Sequence, residues 1–126
     1  MSNWNEEQLT TIGNADELEI SSQSSDGTFT KYIPIWVVRV GDNIYVRSVH
    51  GTTSGWYSAT QVQHQGQIKV PNLEAPVTFV NVSMDDTDHD QIDTVYQTKY
   101  SGYPKIWVDP TFTPVARGAT LKLIPR

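Results

Sequence analysis

The sequence contains no cysteine, which excludes disulfide bonds, thiolate catalysis and zinc fingers together. It also lacks any apolar run approaching the ~20 residues that a membrane-spanning helix requires. Residues 1–6 carry neither a basic nor an apolar segment, so no secretory signal is visible. From these absences we expect a soluble, cytoplasmic protein with no membrane partner.

Positive charge is scarce as well. The formal net charge is −5, and no lysine or arginine precedes Lys31. Such a balance disfavours non-specific binding to nucleic acid or to an anionic membrane. Because the basic residues all lie from Lys31 onward, the chain can still carry one locally positive site.

At 126 residues the chain is expected to form one domain, residues 1–126. β-branched and aromatic runs bounded by turn residues predict about six strands. They are Leu18–Ile20, Lys31–Val40, Ile44–Val49, Gln67–Val70, Val77–Val82 and Thr120–Ile124, with a short extended piece at Ile106–Val108. The pattern predicts a mainly β fold with short helices, as an antiparallel barrel or sandwich.

Two helices have clear signals. Asn5 followed by Gln8 is a capping box that predicts a short helix before Gly13. Asp88 predicts the start of a longer helix that has acidic residues early and Lys99 late. This helix carries an apolar stripe at Ile92, Val95, Tyr96 and Tyr100.

The hairpin formed by the second and third predicted strands allows two registers. A two-residue loop places Arg39 and Arg47 on opposite faces, whereas a three-residue loop, Gly41-Asp42-Asn43, places them together with Tyr45. We prefer the three-residue loop because it separates apolar from charged side chains better. Two arginines on one face could bind a phosphate or a carboxylate of a ligand. The commoner case is that exposed arginines form ion pairs with nearby acidic residues of the same protein.

A glycine- and hydroxyl-rich loop follows the hairpin, and a helix is expected to start at Thr53 or Ser54. Free N–H groups at a helix start attract anions. The candidate anion or cofactor site comprises Arg39, Arg47, Ser48, Val49, Gly51, Thr52, Thr53, Ser54, Trp56 and Tyr57. Trp56 and Tyr57 offer flat surfaces for a planar ligand, whereas we expect Trp36 to pack in the core.

Other chemistry finds little support in the sequence. His50, His64 and His89 lack metal-ligand spacing, so no metal site is predicted. No pair of titratable residues stands out as a general acid and base, and the catalytic residues are left unassigned.

The chain resembles the bacterial family called domain of unknown function 2255 over nearly its whole length. The resemblance rests on Ala15–Ile20, Trp36–Asp42, Tyr45–Ser48, Val77–Val80, Tyr96, Lys99–Tyr100, Val108–Pro110, Ala119–Leu121 and Leu123. That family is similar in turn to the flavin-binding split barrels, which include pyridoxamine phosphate oxidases and deazaflavin-dependent nitroreductases.

The resemblance implies a six-stranded antiparallel Greek-key split barrel, often a homodimer, that holds FMN or a deazaflavin. It implies an oxidoreductase of small molecules in which Arg47, with Arg39, binds phosphate and Trp56 and Tyr57 flank the ring. One alternative is a non-catalytic module that binds a small anion or cofactor in the same pocket. A further alternative is a purely structural dimer.

Overall fold

The structure is a computed structural model, and it describes residues 3–126. The strands are Leu18–Ser22 (β1), Ile33–Ile35 (β2), Val38–Val40 (β3), Asn43–Arg47 (β4), Gln65–Val70 (β5), Leu73–Asn81 (β6) and Thr120–Pro125 (β7). The helices are Glu6–Gly13 (α1), Gly55–Gln63 (α2), His89–Lys99 (α3), Lys105–Val108 (α4) and Pro114–Arg117 (α5), with 3-10 turns at Gly51–Thr53 and Asp109–Phe112.

The strands form a mainly antiparallel sheet in the order β2-β1-β5-β6-β7-β4-β3, curled into a half-barrel with short helices around it. The described residues contain seven strands, so the expected count of six was wrong. The extra strand arises because Lys31–Val40 is not one strand. It bends at Trp36–Val37, so that β2 pairs with β1 at one edge and β3 pairs with β4 at the other. The Greek-key order stays a prediction.

The bend opens a gap in the strand pairing of the sheet, between the end of β2 and the end of β4, which we call the seam. β3 pairs with β4 only from Val38, which lies opposite Tyr45. The rest of β4, through Arg47, therefore has β7 on one side and, in the part of the chain that the structure describes, no strand on the other. Such an open edge is a common place for a ligand or a covering helix.

Strand β7 lies between β6 and β4 and pairs with both. Phe79 of β6 and Ile44 of β4 both oppose Leu123. The strands β2, β1, β5 and β6 form one group and β4 and β3 form another, and β7 provides the hydrogen-bonded link between the groups.

The barrel interior holds the larger hydrophobic core, which α1 and α2 help to close. Helix α1 has the expected capping box, since the Asn5 side chain accepts from the Gln8 backbone N–H and the Gln8 side chain accepts from that of Asn5. A second, smaller core lies between α3 and the outer face of β3 and β4. It contains Val38, Tyr45, Ile92, Tyr96, Tyr100 and Val108.

Helix α3 begins after Asp88, as predicted, and it buries the predicted residues Ile92 and Tyr96, while the predicted Tyr100 caps its C-terminus and is buried as well. Lys105–Val108 forms a helical turn, so the expected extended piece at Ile106–Val108 was wrong. Among residues 3–126, no helix has the length and apolar character needed to cross a bilayer.

Candidate functional site

A cleft of about 530 Å³ opens at the seam of the sheet, between the bend after β2 and the end of β4. It is lined by Glu17, Ile35, Trp36, Arg47, Val49, His50, Trp56, Tyr96, Tyr103, Trp107, Pro110 and Thr111. A cavity of this size with mostly apolar walls and a few polar groups is typical of a small-molecule site. A larger depression of about 910 Å³, lined by Asp16, Glu19, Glu74 and other residues around the β5–β6 turn, has no aromatic walls.

Aromatic rings form one continuous wall of the cleft. The ring centroids of Trp36 and Tyr103 lie 5.1 Å apart, and those of Tyr103 and Trp107 lie 6.1 Å apart. Trp56, at the start of α2, supplies a further lining ring. Trp107 is 59% exposed, so it presents its ring at the rim. Neighbouring rings are tilted by 51° and 42°, so a planar ligand can stack on one ring of this wall at a time.

The position of Trp36 is fixed from behind by the end of α3. Its ring stacks on Tyr100 with 3.9 Å between centroids and 3° between planes. The Tyr100 hydroxyl accepts from the Val37 N–H at 3.0 Å and donates to the Asp16 carbonyl at 2.8 Å. Lys99 donates to the carbonyls of Ala15 and Val37, each at 2.6 Å. Burial lowers the pKa of Lys99 to about 8, because the charged form loses solvation there.

Arg47 lies at the floor of the cleft with a fully buried side chain. Its Nε donates to Thr120 Oγ1 at 2.9 Å, and its Nη1 donates to Asp93 Oδ1 at 2.5 Å and to the Thr111 carbonyl at 2.9 Å. Its Nη2 donates to His89 Nδ1 at 2.9 Å. Four of the five guanidinium N–H groups are therefore engaged within the protein, which leaves Arg47 little capacity for a ligand phosphate.

This contact settles the tautomer of His89. A guanidinium can only donate, so Nδ1 must be the unprotonated, accepting nitrogen. The other ring nitrogen, Nε2, then donates to the Ser83 carbonyl at 2.8 Å. The buried imidazole of His89 thus links the floor of the cleft to the loop before α3.

Asp93 balances the charge of Arg47 and also pairs with Arg117. Arg117 further contacts Asp90 at 3.0 Å, on the exposed side of α3. Its contacts with Asp93 and Asp90 raise the pKa of Arg117, so that this cation stays charged. One carboxylate therefore lies between two guanidinium groups.

The β3–β4 hairpin has a two-residue loop, because Val40 pairs with Asn43 and Arg39 pairs with Ile44. The preferred three-residue register was therefore wrong, and Arg39 lies on the opposite face from Arg47. Arg39 instead forms a bidentate pair with Glu6 of α1, at 3.0 and 3.1 Å. The expected face with two arginines is not formed.

The loop after β4 is longer than expected, because the helix that was predicted to start at Thr53 or Ser54 starts later. Gly51 is buried with a φ of +77° in a 3-10 turn, and α2 begins only at Gly55. Ser54 occupies the cap position without a side-chain hydrogen bond, and the Thr53 hydroxyl donates to the His50 carbonyl at 3.3 Å. The exposed Thr52 accepts from Ser58 through its carbonyl at 3.3 Å.

Of the ten predicted site residues, three line the cleft: Arg47, Val49 and Trp56. Tyr57 packs in the barrel core, edge-to-face with Trp56. Ser48 is buried, and its hydroxyl has no hydrogen-bond partner among residues 3–126. Trp36, expected in the core, is half-buried and forms part of the aromatic wall.

Helix α3 and the segment after it supply residues of the cleft that were not predicted from the sequence. His89, Asp93 and Tyr96 recur at intervals of four and three residues, which places them on one face of α3. This spacing was visible in the sequence, because His89 and Asp93 lie beside the apolar stripe that contains Tyr96. Tyr103 and Trp107 carry no such periodic signal, since they lie in a loop and a single helical turn.

Comparison with known families gives one match, to a family described as an uncharacterized protein conserved in bacteria, DUF2255, over residues 8–123. The chain belongs to this family. The resemblance inferred from the sequence is thereby confirmed. Among curated proteins no match is found.

Several solved structures share the fold of this DUF2255 chain. One named as an F420 reductase is 14% identical, with a TM-score of 0.57, and the match covers 98% of this chain and 94% of that one. A Listeria innocua protein whose name refers to pyridoxamine 5′-phosphate oxidase is 11% identical, with a TM-score of 0.64 and 94% and 90% covered. An F420-H2 dependent reductase is 10% identical, with a TM-score of 0.62 and 86% and 93% covered. At these identities the similarity establishes the split-barrel fold alone.

Proposed function

We propose that this chain binds a flavin-type cofactor, FMN or a deazaflavin, in the aromatic cleft and acts as a small-molecule oxidoreductase. The observation that carries the proposal is the cleft itself, which collects three of the four tryptophans of the chain beside two tyrosines at the seam of the sheet. The fold is shared with proteins whose names describe F420-dependent reduction, which supports this class of ligand.

The residues of the cleft fit a planar ring. The rings of Trp36, Tyr103 and Trp107 are tilted by 51° and 42° from one to the next, so a tricyclic ring can stack on one of them while its edge meets the neighbouring ring. Trp56 supplies a further aromatic surface. Arg47 provides a buried positive charge at the floor, although most of its donors are already engaged. The cofactor would supply the hydride or electron chemistry, while the protein binds and orients the ring and keeps water from one face.

For the phosphate or other anionic tail, the start of α2 is the proposed binding region. Val49 and His50 at the rim of the cleft lead directly into Gly51–Thr53 and the cap residue Ser54. Thr52 and Thr53 are exposed there, and the Thr52 hydroxyl can donate to an anion in solvent at the start of this helix, whereas the Thr53 hydroxyl would have to leave the His50 carbonyl first. Arg39 has no part in this version of the site.

Tryptophan fluorescence offers a direct test, because a bound flavin quenches nearby indoles. We expect FMN or F420 to produce saturable quenching of the purified protein and to raise its melting temperature. Trp107→Ala, which removes an exposed wall residue, should weaken the binding. Arg39→Ala is the matched control, since Arg39 lies outside the cleft, and it should leave the affinity unchanged.

Absence of quenching with both cofactors would refute the proposal. Binding without reduction of any electron acceptor would instead support the non-catalytic module. Equal weakening by Arg39→Ala and Trp107→Ala would place the ligand outside the cleft. The homodimer stays a prediction, which native mass spectrometry of the same sample can test.

A further inference from the structure

The aromatic wall of the cleft changes direction from one ring to the next. The planes of Trp36, Tyr103 and Trp107 are strongly tilted against one another, although their centroids lie only 5.1 and 6.1 Å apart. A flat ligand can stack on one of these rings, whereas a compact, rounded group between two rings can touch both. The wall therefore suits a small three-dimensional group as well as a planar one.

A carboxylate borders this wall. Glu17 lines the same cleft, and its side chain is exposed. The pKa of Tyr103 is raised first by the hydrogen bond that its hydroxyl donates to Asp16, and to a smaller extent by the negative charge of Glu17. In the part of the chain that the structure describes, neither carboxylate forms an ion pair. The Tyr103 side of the cleft thus carries negative charge that the protein does not balance by direct contact.

Positive charge in the cleft is confined to its floor. Among residues 3–126, Arg47 is the one lysine or arginine that lines the cleft, and its buried side chain is paired with Asp93 at 2.5 Å. Its charge is therefore compensated within the protein. A cation at the aromatic wall meets the charge of Glu17 without first displacing a protein cation from it.

Aromatic rings and negative charge together favour one class of ligand. The face of an aromatic ring attracts a cation, and several rings around one space recognise quaternary ammonium groups. We propose that the wall formed by Trp36, Tyr103 and Trp107, with Glu17 beside it, binds a small organic cation that carries a quaternary ammonium group. This inference goes beyond the proposed function and does not depend on it, because it rests on the tilt and the charge of the wall rather than on a cofactor.

The test compares choline with 3,3-dimethylbutan-1-ol, a neutral molecule of the same shape in which carbon replaces the charged nitrogen. Each is titrated at constant ionic strength while the NMR signals of the four tryptophan indole N–H groups are followed. We expect choline to shift the signals of Trp36 and Trp107 saturably and to bind at least about tenfold more tightly than the neutral probe. Trp4 is an internal control, because its indole is buried and donates to the Leu123 carbonyl at 2.8 Å.

Two variants test the carboxylate and the ring separately. Glu17→Gln keeps the shape of the side chain and should weaken choline about threefold, as expected for an exposed ion pair, without changing the affinity for the neutral probe. Glu19→Gln is the matched control, since Glu19 is exposed and lines the larger depression but not the cleft. Trp107→Leu keeps an apolar side chain without an aromatic face, so it should weaken choline more than the neutral probe. Trp107 is 59% exposed, so this variant should fold normally, and its melting temperature checks that.

Several results would overturn the inference. Choline may not be selected over the neutral probe, or may shift no indole of the cleft, and either result shows that the wall does not recognise a cation. Equal effects of Glu17→Gln and Glu19→Gln, or an unchanged choline affinity in Trp107→Leu, contradict the site described. A shift of Trp4 as large as that of Trp107 places the ligand outside the cleft.

The same protein samples keep this inference separate from the proposed function. FMN and F420 are added to them in the quenching assay. If a flavin-type cofactor binds and choline does not, this inference fails alone. If choline binds with the expected dependence on Glu17 and Trp107 and neither cofactor binds, the proposed function fails and this inference is supported.

Discussion

Replacing Asp93 with asparagine removes the counter-ion of Arg47, the buried cation beneath the cleft. The change should therefore lower the free energy of unfolding. The Arg47 side chain has 0% exposure, and within residues 3–126 its one anionic partner is Asp93, since its other acceptors are Thr120, Thr111 and His89. Asparagine preserves the shape of the side chain while it removes the negative charge. Arg47 would then be a buried cation beside a second cation, Arg117, which also contacts residue 93.

Breaking a buried ion pair by removing one partner typically costs about 3–5 kcal/mol. An asparagine oxygen can still accept one hydrogen bond from Arg47. We therefore expect Asp93→Asn to lower the free energy of unfolding by about 3 kcal/mol, the lower end of this range. With a urea dependence of roughly 1–3 kcal/mol per molar for a small protein, the unfolding midpoint should fall by about 1–3 M at unchanged slope. The total stability of such a domain is about 5–15 kcal/mol, so the variant should still fold.

Asp90→Asn is the matched control. Asp90 lies on the same helix and contacts the same Arg117, but its side chain is 90% exposed. Exposed ion pairs contribute little to stability, so the urea unfolding midpoint of Asp90→Asn should stay close to that of the wild type. If both variants shift the midpoint equally, or if Asp93→Asn shifts it hardly at all, Arg47 does not depend on Asp93 and the account of the floor is wrong.

Two further changes test the frame around the cleft. Lys99 has a folded-state pKa of about 8, below its value in the unfolded chain, so the unfolded state holds more protons between about pH 8 and pH 10. The free energy of unfolding should therefore rise with pH in this window, and urea titrations at several pH values should show a smaller rise in Lys99→Met. Gly66→Ala should destabilise the barrel severely, because a Cβ there would lie 2.1 Å from the Ser21 carbonyl oxygen and 2.8 Å from the Phe79 ring. Gly55→Ala meets no atom within 4 Å and should leave the melting temperature nearly unchanged; similar losses in both glycine variants would contradict the packing described.

Local signals predicted the local structure well. The capping box of Asn5 and Gln8, the start of α3 after Asp88 and the last strand each depend on residues within a few positions of one another. The hairpin register failed for a tertiary reason. The face of the hairpin with Arg47 was assumed to meet solvent. That assumption favoured the three-residue loop, which placed Arg39 and Arg47 together on this face. Helix α3 covers that face instead, and its Asp93 and His89 make a buried arginine tolerable.

The cleft was only partly predictable for the same reason. The strand, loop and helix-start patterns after residue 36 contain three of the lining residues, Arg47, Val49 and Trp56. Tyr96 and Trp107 come from segments about 50 residues later in the chain. Their approach depends on the bend at Trp36, where a run rich in β-branched and aromatic residues passes from one sheet edge to the other. Pro34 is a local sign against one continuous strand, but it does not specify where the run bends or which strand each half joins.

The placement of β7 between two groups of strands also sets an order of events in folding. During synthesis, β4 is complete more than 70 residues before its neighbour on that side, since Arg47 pairs with Thr120. Until then the Arg47 side chain lacks the Thr120 and Thr111 acceptors, and the β4 edge is exposed to other chains. A nascent or truncated chain that ends before β7 should therefore aggregate rather than hold a partly formed cleft. Ligand binding should appear only after the last strand has inserted.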